Sequence, residues 1–143
     1  MEGEKLMKKT NIKKHLIACV VCLCVAGSIN IHANASGNVK NKLFNYKKDA
    51  HVTYTDEEFK ADATRTYVIY SDGLAKPKVT VVGVSGKKYI NCSGSYTLSK
   101  YKQYTIKNSV YKNYKYAALR IQADGYGSGY WSPDSTKNYI NLG

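Results

Sequence analysis

Cysteine is scarce and unevenly placed in this chain of 143 residues. Three of the four cysteines lie in an apolar run from Leu16 to Gly27, and the fourth is Cys92. A product without this N-terminal run keeps one thiol, which excludes an intramolecular disulfide. Such a small domain depends on its hydrophobic core for stability.

Histidine is equally scarce beyond residue 35, where only His51 remains. A Ser-His-Asp triad would have to use it, yet the chain has no Gly-x-Ser-x-Gly elbow. The order His51, Cys92, Arg120 is similar to that of sortases, but Tyr89-Ile90-Asn91 stands where sortases carry Thr-Leu-x-Thr. The ligands for a structural metal are also too few. The sequence therefore predicts no enzyme, no metal and no cofactor.

No apolar run is long enough to cross a bilayer, because the run from Leu16 ends before Ser28 and a span needs about 18–20 residues. Lysines precede the run, and Ala33 and Ala35 occupy the positions that signal peptidase reads. Residues 1–35 are predicted to be a secretory signal peptide, cleaved after Ala35. Cys19 lies at the start of the apolar region, whereas a lipidated cysteine closes it. The predicted location is extracellular.

Acidic residues are few once the predicted signal peptide is set aside. Five of the 22 Lys and Arg residues and two of the ten Asp and Glu residues lie in residues 1–35, which leaves 17 bases, eight acids and a net charge of +9. In a secreted protein this excess favours an anionic cell-wall polymer, a glycan or a membrane surface over nucleic acid as the partner. A monomer is expected.

Residues 36–63 are poor in apolar side chains and are predicted to be a polar, partly mobile lead-in with room for one short strand. Five of the eight remaining acids fall between Asp49 and Asp62. They lack the alternating oxygen ligands and central glycine of an EF-hand. A solvated loop is expected there rather than a cation site.

Beyond residue 64 the pattern is that of β-strands. Short runs rich in Val, Ile, Thr and Tyr recur about every 8–12 residues, with turn residues between them. This spacing predicts an all-β domain over residues 64–143, a small antiparallel β-sandwich of about seven or eight short strands. Strands are expected at 65–70, 78–84, 87–93, 96–98, 103–106, 109–111, 117–123, 130–131 and 139–140.

The segment from Tyr116 to Ser135 organises the predicted fold. Its first half alternates between two faces from Ala117 to Ala123, the period of a half-buried strand. Three glycines between residues 125 and 129 then predict a flexible turn, after which the chain returns as a hairpin through Trp131, its only tryptophan. The predicted core comprises Val68, Val79, Val81, Ile90, Leu119, Ile121 and Trp131.

Tyrosine is abundant, and several of the 14 tyrosines alternate with lysine in two stretches, 100–104 and 111–116. Such a surface combines aromatic stacking with neutralisation of a polyanion. The alternative is that the tyrosines fill strand positions while the lysines protect strand edges. The candidate envelope-binding residues are Lys100, Tyr101, Lys102, Tyr104, Tyr111, Lys112, Tyr114 and Lys115.

The C-terminal third carries a resemblance to a family. Tyr116-Ala-Ala-Leu-Arg120, followed by Ser128-Gly-Tyr-Trp-Ser-Pro-Asp-Ser135, resembles an uncharacterised family of small secreted β-rich proteins from bacilli and related Firmicutes. The resemblance implies a signal peptide and a β-rich domain, and it brings no activity with it. The Gly-rich turn before Trp131 is also similar to that of the lactococcin-like β-sandwich bacteriocins, which lack the Ser-Pro-Asp-Ser extension.

Two functions stay open on the sequence. The predicted one is a secreted, non-catalytic, cationic β-domain that binds an anionic or glycan component of the cell envelope. The alternative is a secreted antimicrobial protein, similar to a bacteriocin, that acts on competing cells. Both use the same lysines and tyrosines, so composition does not separate them.

Overall fold

The computed structural model describes residues 37–47, 50–137 and 139–143. The predicted signal peptide, with Ala33 and Ala35, lies outside the described residues. Residues 37–143 group into one compact unit, in which the described residues form ten strands and one short helix. The strands build two sheets. The prediction of a small all-β fold is confirmed, with ten strands in place of seven or eight.

Sheet A contains β1 (Lys42–Tyr46), β4 (Thr66–Gly73), β7 (Gln103–Ile106), β9 (Gly127–Ser132) and β10 (Ile140–Leu142). Their order across the sheet is β1-β9-β4-β7-β10. All pairs are antiparallel except β7 with β10, which run parallel. The first strand of the domain therefore forms one edge of this sheet and the last forms the other.

Sheet B contains β2 (Val52–Tyr54), β3 (Glu58–Phe59), β5 (Lys78–Ser85), β6 (Lys88–Thr97) and β8 (Tyr116–Gln122). Its order is β2-β8-β5-β6, and β3 pairs with the opposite end of β8 from β2. The short helix α1 (Val110–Asn113) follows β7 and leads to β8. Sheet B is antiparallel throughout.

The core lies between the two sheets, where alternate residues of each strand face inward. Sheet A contributes Phe44, Val68 and Trp131, while sheet B contributes Val81 and Leu119. The Trp131 side chain is only 1% exposed, as predicted for the single tryptophan. Six of the seven predicted core residues are buried. Ile90 is the exception at 39% exposure, because it lies on β6, the edge strand of sheet B, opposite Gly83.

The predicted lead-in is part of the sandwich. Residues 42–46 pair along β9, and Phe44 and Tyr46 are buried in the core. Residues 52–54 and 58–59 pair with β8, where a solvated loop was expected. The sequence-based boundary at residue 64 is therefore wrong, since three strands precede it. These strands, of two to five residues, are too short to give a period-two signal on their own.

Several local predictions are also corrected. The segment 109–111, expected to be a strand, lies at the start of α1, where the Asn108 side chain accepts a hydrogen bond from the Val110 N–H at 3.3 Å. The predicted hairpin between β8 and β9 does not form, because these strands belong to different sheets. Gly127 and Gly129 lie within β9 rather than in a turn, and glycine is needed at both positions because side chains there would collide with Tyr46 and Phe44.

Candidate binding surfaces

The Trp-Ser-Pro-Asp-Ser segment ties the two ends of the domain together through a buried carboxylate. The Asp134 side chain is fully buried and pairs with the ammonium of Lys60, which is 2% exposed. Its second oxygen accepts hydrogen bonds from the backbone N–H of Asn38 at 2.7 Å and of Ala61 at 2.9 Å. The Lys60 ammonium also donates to the Thr64 carbonyl at 2.6 Å. We refer to these residues as the Asp134 network.

The rest of the segment completes this arrangement. The Ser132 hydroxyl donates to the Asp134 carbonyl at 2.7 Å, and the Pro133 carbonyl accepts from the Thr66 hydroxyl at 2.9 Å. The segment therefore has a structural role. The hydrogen bonds of Ser132, Pro133 and Asp134 all join groups within this domain.

Asp62 stands next to this network. Burial acts to raise the pKa of its carboxyl, but hydrogen bonds from the Thr64 hydroxyl and the Thr64 N–H outweigh that effect and lower the pKa below its usual value. The Asp62 carboxylate thus binds within its own turn, to the N–H and the hydroxyl of Thr64. No group of three or more His, Cys, Asp or Glu that could share a metal ion occurs in the described part of the chain.

The first predicted lysine-tyrosine stretch is partly exposed and partly structural. Tyr104 is 6% exposed, and its hydroxyl accepts a hydrogen bond from the Ser99 N–H at 3.1 Å. Lys100 pairs with Asp72 at 3.3 Å, an interaction that raises the pKa of Lys100, and its ammonium lies 5.2 Å from the Tyr101 ring. Tyr101 and Lys102 are exposed in the connection between β6 and β7.

The second stretch lies at the other end of β7. Tyr111, Lys112 and Lys115 are exposed, whereas the Tyr114 ring occupies the space above Gly83 and packs against the core. Because the first stretch adjoins the Gln103 end of β7 and α1 follows the Ile106 end, the eight residues do not form one continuous surface. Tyr111 and Lys112 do line a hollow of about 380 Å³ beside Cys92.

The three residues compared with a sortase site are not brought together. His51 is exposed and lies 3.9 Å from Asp124, Cys92 packs against the core, and Arg120 lies on the outward side of β8. Cys92 and Arg120 are thus on opposite faces of sheet B. Among the described residues no helix has the length and apolar character to cross a membrane.

A different surface collects exposed aromatic rings, the outward side of sheet B. One row of side chains crosses four neighbouring strands: Phe59 lies opposite Tyr116, Tyr116 opposite Val84, and Val84 opposite Tyr89. At the usual strand spacing this row is about 14 Å long. Phe59, Tyr89 and Tyr116 are exposed at 52%, 42% and 42%.

A second row on the same side contains Tyr54, Arg120, Thr80 and Ser95 in register. The Tyr54 ring of the second row stacks on the Tyr89 ring of the first row, with the two centroids 4.1 Å apart. Between the rows lie Val82 and Ala118, which are fully buried although they point away from the main core. We call this surface the aromatic face; it comprises Tyr54, Phe59, Val82, Val84, Tyr89, Tyr116, Ala118 and Arg120.

Arg120 gives the aromatic face an available positive charge. Among the described residues its guanidinium takes part in none of the ion pairs. A second cation, Lys78, lies two residues before Thr80 and on the same side of β5. Asp56 and Glu57 are exposed in the connection between β2 and β3. An unpaired guanidinium beside exposed rings can hold a carboxylate or phosphate while the rings contact the apolar side of a sugar.

The aromatic face was not predicted from the sequence, because its residues come from five strands. Tyr54 and Phe59 fall in the segment predicted to be a loop, and Tyr89 was considered only as context for Cys92. The usable signal was the period of two: in β8, Tyr116, Ala118 and Arg120 alternate with the core residues.

The outward side of sheet A carries a cleft of about 290 Å³. Tyr67 and Gln103 contribute its floor, and the Tyr67 hydroxyl donates to the Gln103 carbonyl oxygen at 3.2 Å. The Tyr139 ring lies 5.1 Å from the Tyr67 ring at an angle of 47°. Burial, and then the neighbouring Tyr139, raises the pKa of Tyr67, which keeps its hydroxyl neutral as a donor. Asn41, Thr136 and Lys137 are among the other polar residues of the lining.

Comparison with known proteins gives a family and no activity. The family model described as "Protein of unknown function (DUF2712)" matches residues 31–135. No curated protein and no solved structure matches the chain. The match runs from before β1 to the last residue of the Trp-Ser-Pro-Asp-Ser segment and covers most of the chain, as the resemblance to an uncharacterised family predicted. The chain belongs to the DUF2712 family of proteins of unknown function.

Proposed function

We propose that this protein is an extracellular, non-catalytic binding module for an anionic glycan polymer of the cell envelope, and that the aromatic face is its binding surface. Export rests on the predicted signal peptide, which lies outside the described residues. The observation that carries the proposal is the placement of four partly exposed aromatic rings and an unpaired arginine on one outward sheet face.

Exposed rings of this kind call for an explanation. Single exposed hydrophobic residues are ordinary on a protein surface, but a contiguous group with a polar rim marks a binding surface. Tyrosine suits a partner that is partly apolar and partly polar, because its ring packs while its hydroxyl remains wet. Sugar rings have that character, since their C–H groups line one side and their hydroxyls point outward.

The charge supports an anionic partner. The predicted mature chain carries nine more basic than acidic groups. Two of these cations, Arg120 and Lys78, share the outward side of sheet B. Long-range attraction of this type raises the rate of encounter with a polyanion and weakens as salt increases.

Adsorption of the purified protein to washed Gram-positive cell walls tests the proposal. We expect adsorption that weakens between about 20 mM and 150 mM salt, because exposed charges are screened beyond about 8 Å at the higher concentration. The Tyr54→Ala/Tyr89→Ala variant should bind at least about tenfold more weakly, since both rings of the stack are removed. Arg120→Gln should bind more weakly and with a shallower salt dependence.

Tyr101→Ala is the matched control, because Tyr101 is the most exposed tyrosine and lies outside the aromatic face. It should bind as the unchanged protein does. A loss of adsorption in this control equal to that of the double variant would contradict the assignment. A fall in viable count when live cells replace the walls would instead support the antimicrobial alternative.

A further inference from the structure

The cleft on sheet A is built on the other side of the sandwich from the aromatic face. Its floor consists of outward-facing residues of β4 and β7, Tyr67 and Gln103. One wall is the segment before β1, with Val39 and Asn41, and the other is the chain that follows Asp134. The Asp134 network joins the two walls, because the Asp134 carboxylate accepts a hydrogen bond from the Asn38 N–H and the Asp134 N–H donates to the Asn38 carbonyl at 3.2 Å.

The lining combines two rings with exposed polar side chains. The Tyr67 and Tyr139 rings meet at 47°, and Tyr139 is the more exposed of the two, since Tyr67 is buried. Gln103 uses its carbonyl oxygen for the Tyr67 hydroxyl, which leaves its NH₂ group free to donate. The side chains of Asn41 and Thr136 form no hydrogen bond with other described residues.

The charge in the cleft is positive. Asp134 borders the cleft, but its carboxylate is neutralised by Lys60 and saturated by two backbone N–H groups. Lys137 is the other charged residue of the lining, and it takes part in no ion pair within the described part of the chain. An anionic group is therefore the complement of this site.

The volume of the cleft matches a small ligand or one residue of a larger one. A volume of about 290 Å³ is at the lower end of ligand pockets in proteins, below what a drug-sized molecule fills. A single six-membered sugar ring fits the mixture of rings, amides and hydroxyls, and a carboxylate on that ring can reach Lys137. The polar lining argues against a fatty chain.

We propose that this cleft is a second binding site, specific for one acidic sugar residue of the uronic acid class. Tyr67 and Tyr139 contact the apolar side of the sugar, Asn41, Gln103 and Thr136 bind its hydroxyls, and Lys137 pairs with its carboxylate. The site is separate from the aromatic face and does not depend on it. Together they give the molecule two glycan contacts on opposite sides.

Titration of the isotopically labelled protein with glucuronate, glucose and acetate, followed by backbone NMR, tests the proposal. Glucuronate has the ring and the charge, glucose has the ring alone, and acetate has the charge alone. We expect glucuronate to shift signals around Asn41, Gln103 and Tyr139, with millimolar affinity and at least about fivefold tighter binding than either control ligand. Equal binding of glucuronate and glucose, shifts confined to other residues, or no shift at about 50 mM would overturn it.

Three variants test the roles assigned to the residues of the cleft. Lys137→Gln changes an exposed residue, so the fold is preserved, and it should reduce glucuronate affinity to that of glucose. Tyr139→Ala should weaken both sugars. Tyr130→Ala is the control, because Tyr130 is exposed on the same outward side of sheet A but outside the cleft. The ligand in this test is a monosaccharide and the site is the cleft. A failure of glucuronate to bind there would therefore leave the proposal of polymer binding by the aromatic face unaffected.

Discussion

A buried lysine is the least expected residue in this domain. Lysine is almost never fully buried unless it is paired, and the sequence around Lys60 is acidic and polar. Its partner, Asp134, is 74 residues away in the chain, so no local pattern connects the two. The Ser-Pro-Asp-Ser turn was visible in the sequence, but its contacts with residues 38, 60, 61 and 64 could be found only from the fold.

Removing one member of this pair should destabilise the domain strongly. In Lys60→Met the Asp134 carboxylate stays buried without its cation, which costs about 3–5 kcal/mol of unfolding free energy. Chemical denaturation measures the loss. Lys102→Met is the matched control, because Lys102 is exposed, and it should change stability by less than about 0.5 kcal/mol.

The double variant Lys60→Met/Asp134→Asn separates the pair from the surrounding packing. The neutral amide does not need a cation. The double variant should therefore lose less unfolding free energy than the two single variants lose in sum. Additive losses, or equal melting temperatures for Lys60→Met and Lys102→Met, would show that the ion pair has no structural role.

At the scale of elements, β4 and β5 were predictable because each has eight residues and is rich in β-branched side chains. β5 and β7 begin at the expected residues, and β8 differs by one residue at each end. The lead-in was expected to hold at most one short strand, and β2 and β3 were missed because they have only three and two residues and owe their pairing to β8. α1 was missed because Val and Tyr favour strands, while Asn108 and the tertiary contacts of Val110 set the local conformation.

The role of β1 can be tested with two adjacent residues. Phe44 is buried at 3% exposure, and Leu43 beside it is 58% exposed on the outward side. Phe44→Ala should lower the unfolding free energy by about 3–5 kcal/mol, because it leaves a cavity in the core. Leu43→Ala should change it by less than about 1 kcal/mol. Thermal or chemical unfolding gives both values, and equal effects would mean that β1 is not part of the core.

At the scale of the whole molecule, the sequence predicted the all-β class and the excess of positive charge. It did not predict which side chains share a surface, because that depends on strand order. The eight lysines and tyrosines chosen from spacing are divided between the two ends of β7, and two of the tyrosines are structural. The aromatic face is assembled from five strands that are adjacent only in sheet B.

The two outward surfaces also differ in what they can bind. The aromatic face is open and extended over several strands, which suits a polymer chain. The cleft on sheet A is small and walled, which suits one residue of such a chain. A module with both could hold one polymer at two points or join two polymers, and linking two weak contacts raises the overall avidity.

The most direct test of the central claim is an NMR titration of the labelled protein with purified wall teichoic acid at low salt. We expect the largest backbone shifts on the aromatic face, around Tyr54, Tyr89, Tyr116 and Arg120. They should be reversed by added salt and be absent in the Tyr54→Ala/Tyr89→Ala variant. Binding that shifts signals of Lys100–Lys102 or of α1 and leaves the aromatic face unchanged would show that the aromatic face is not the binding surface.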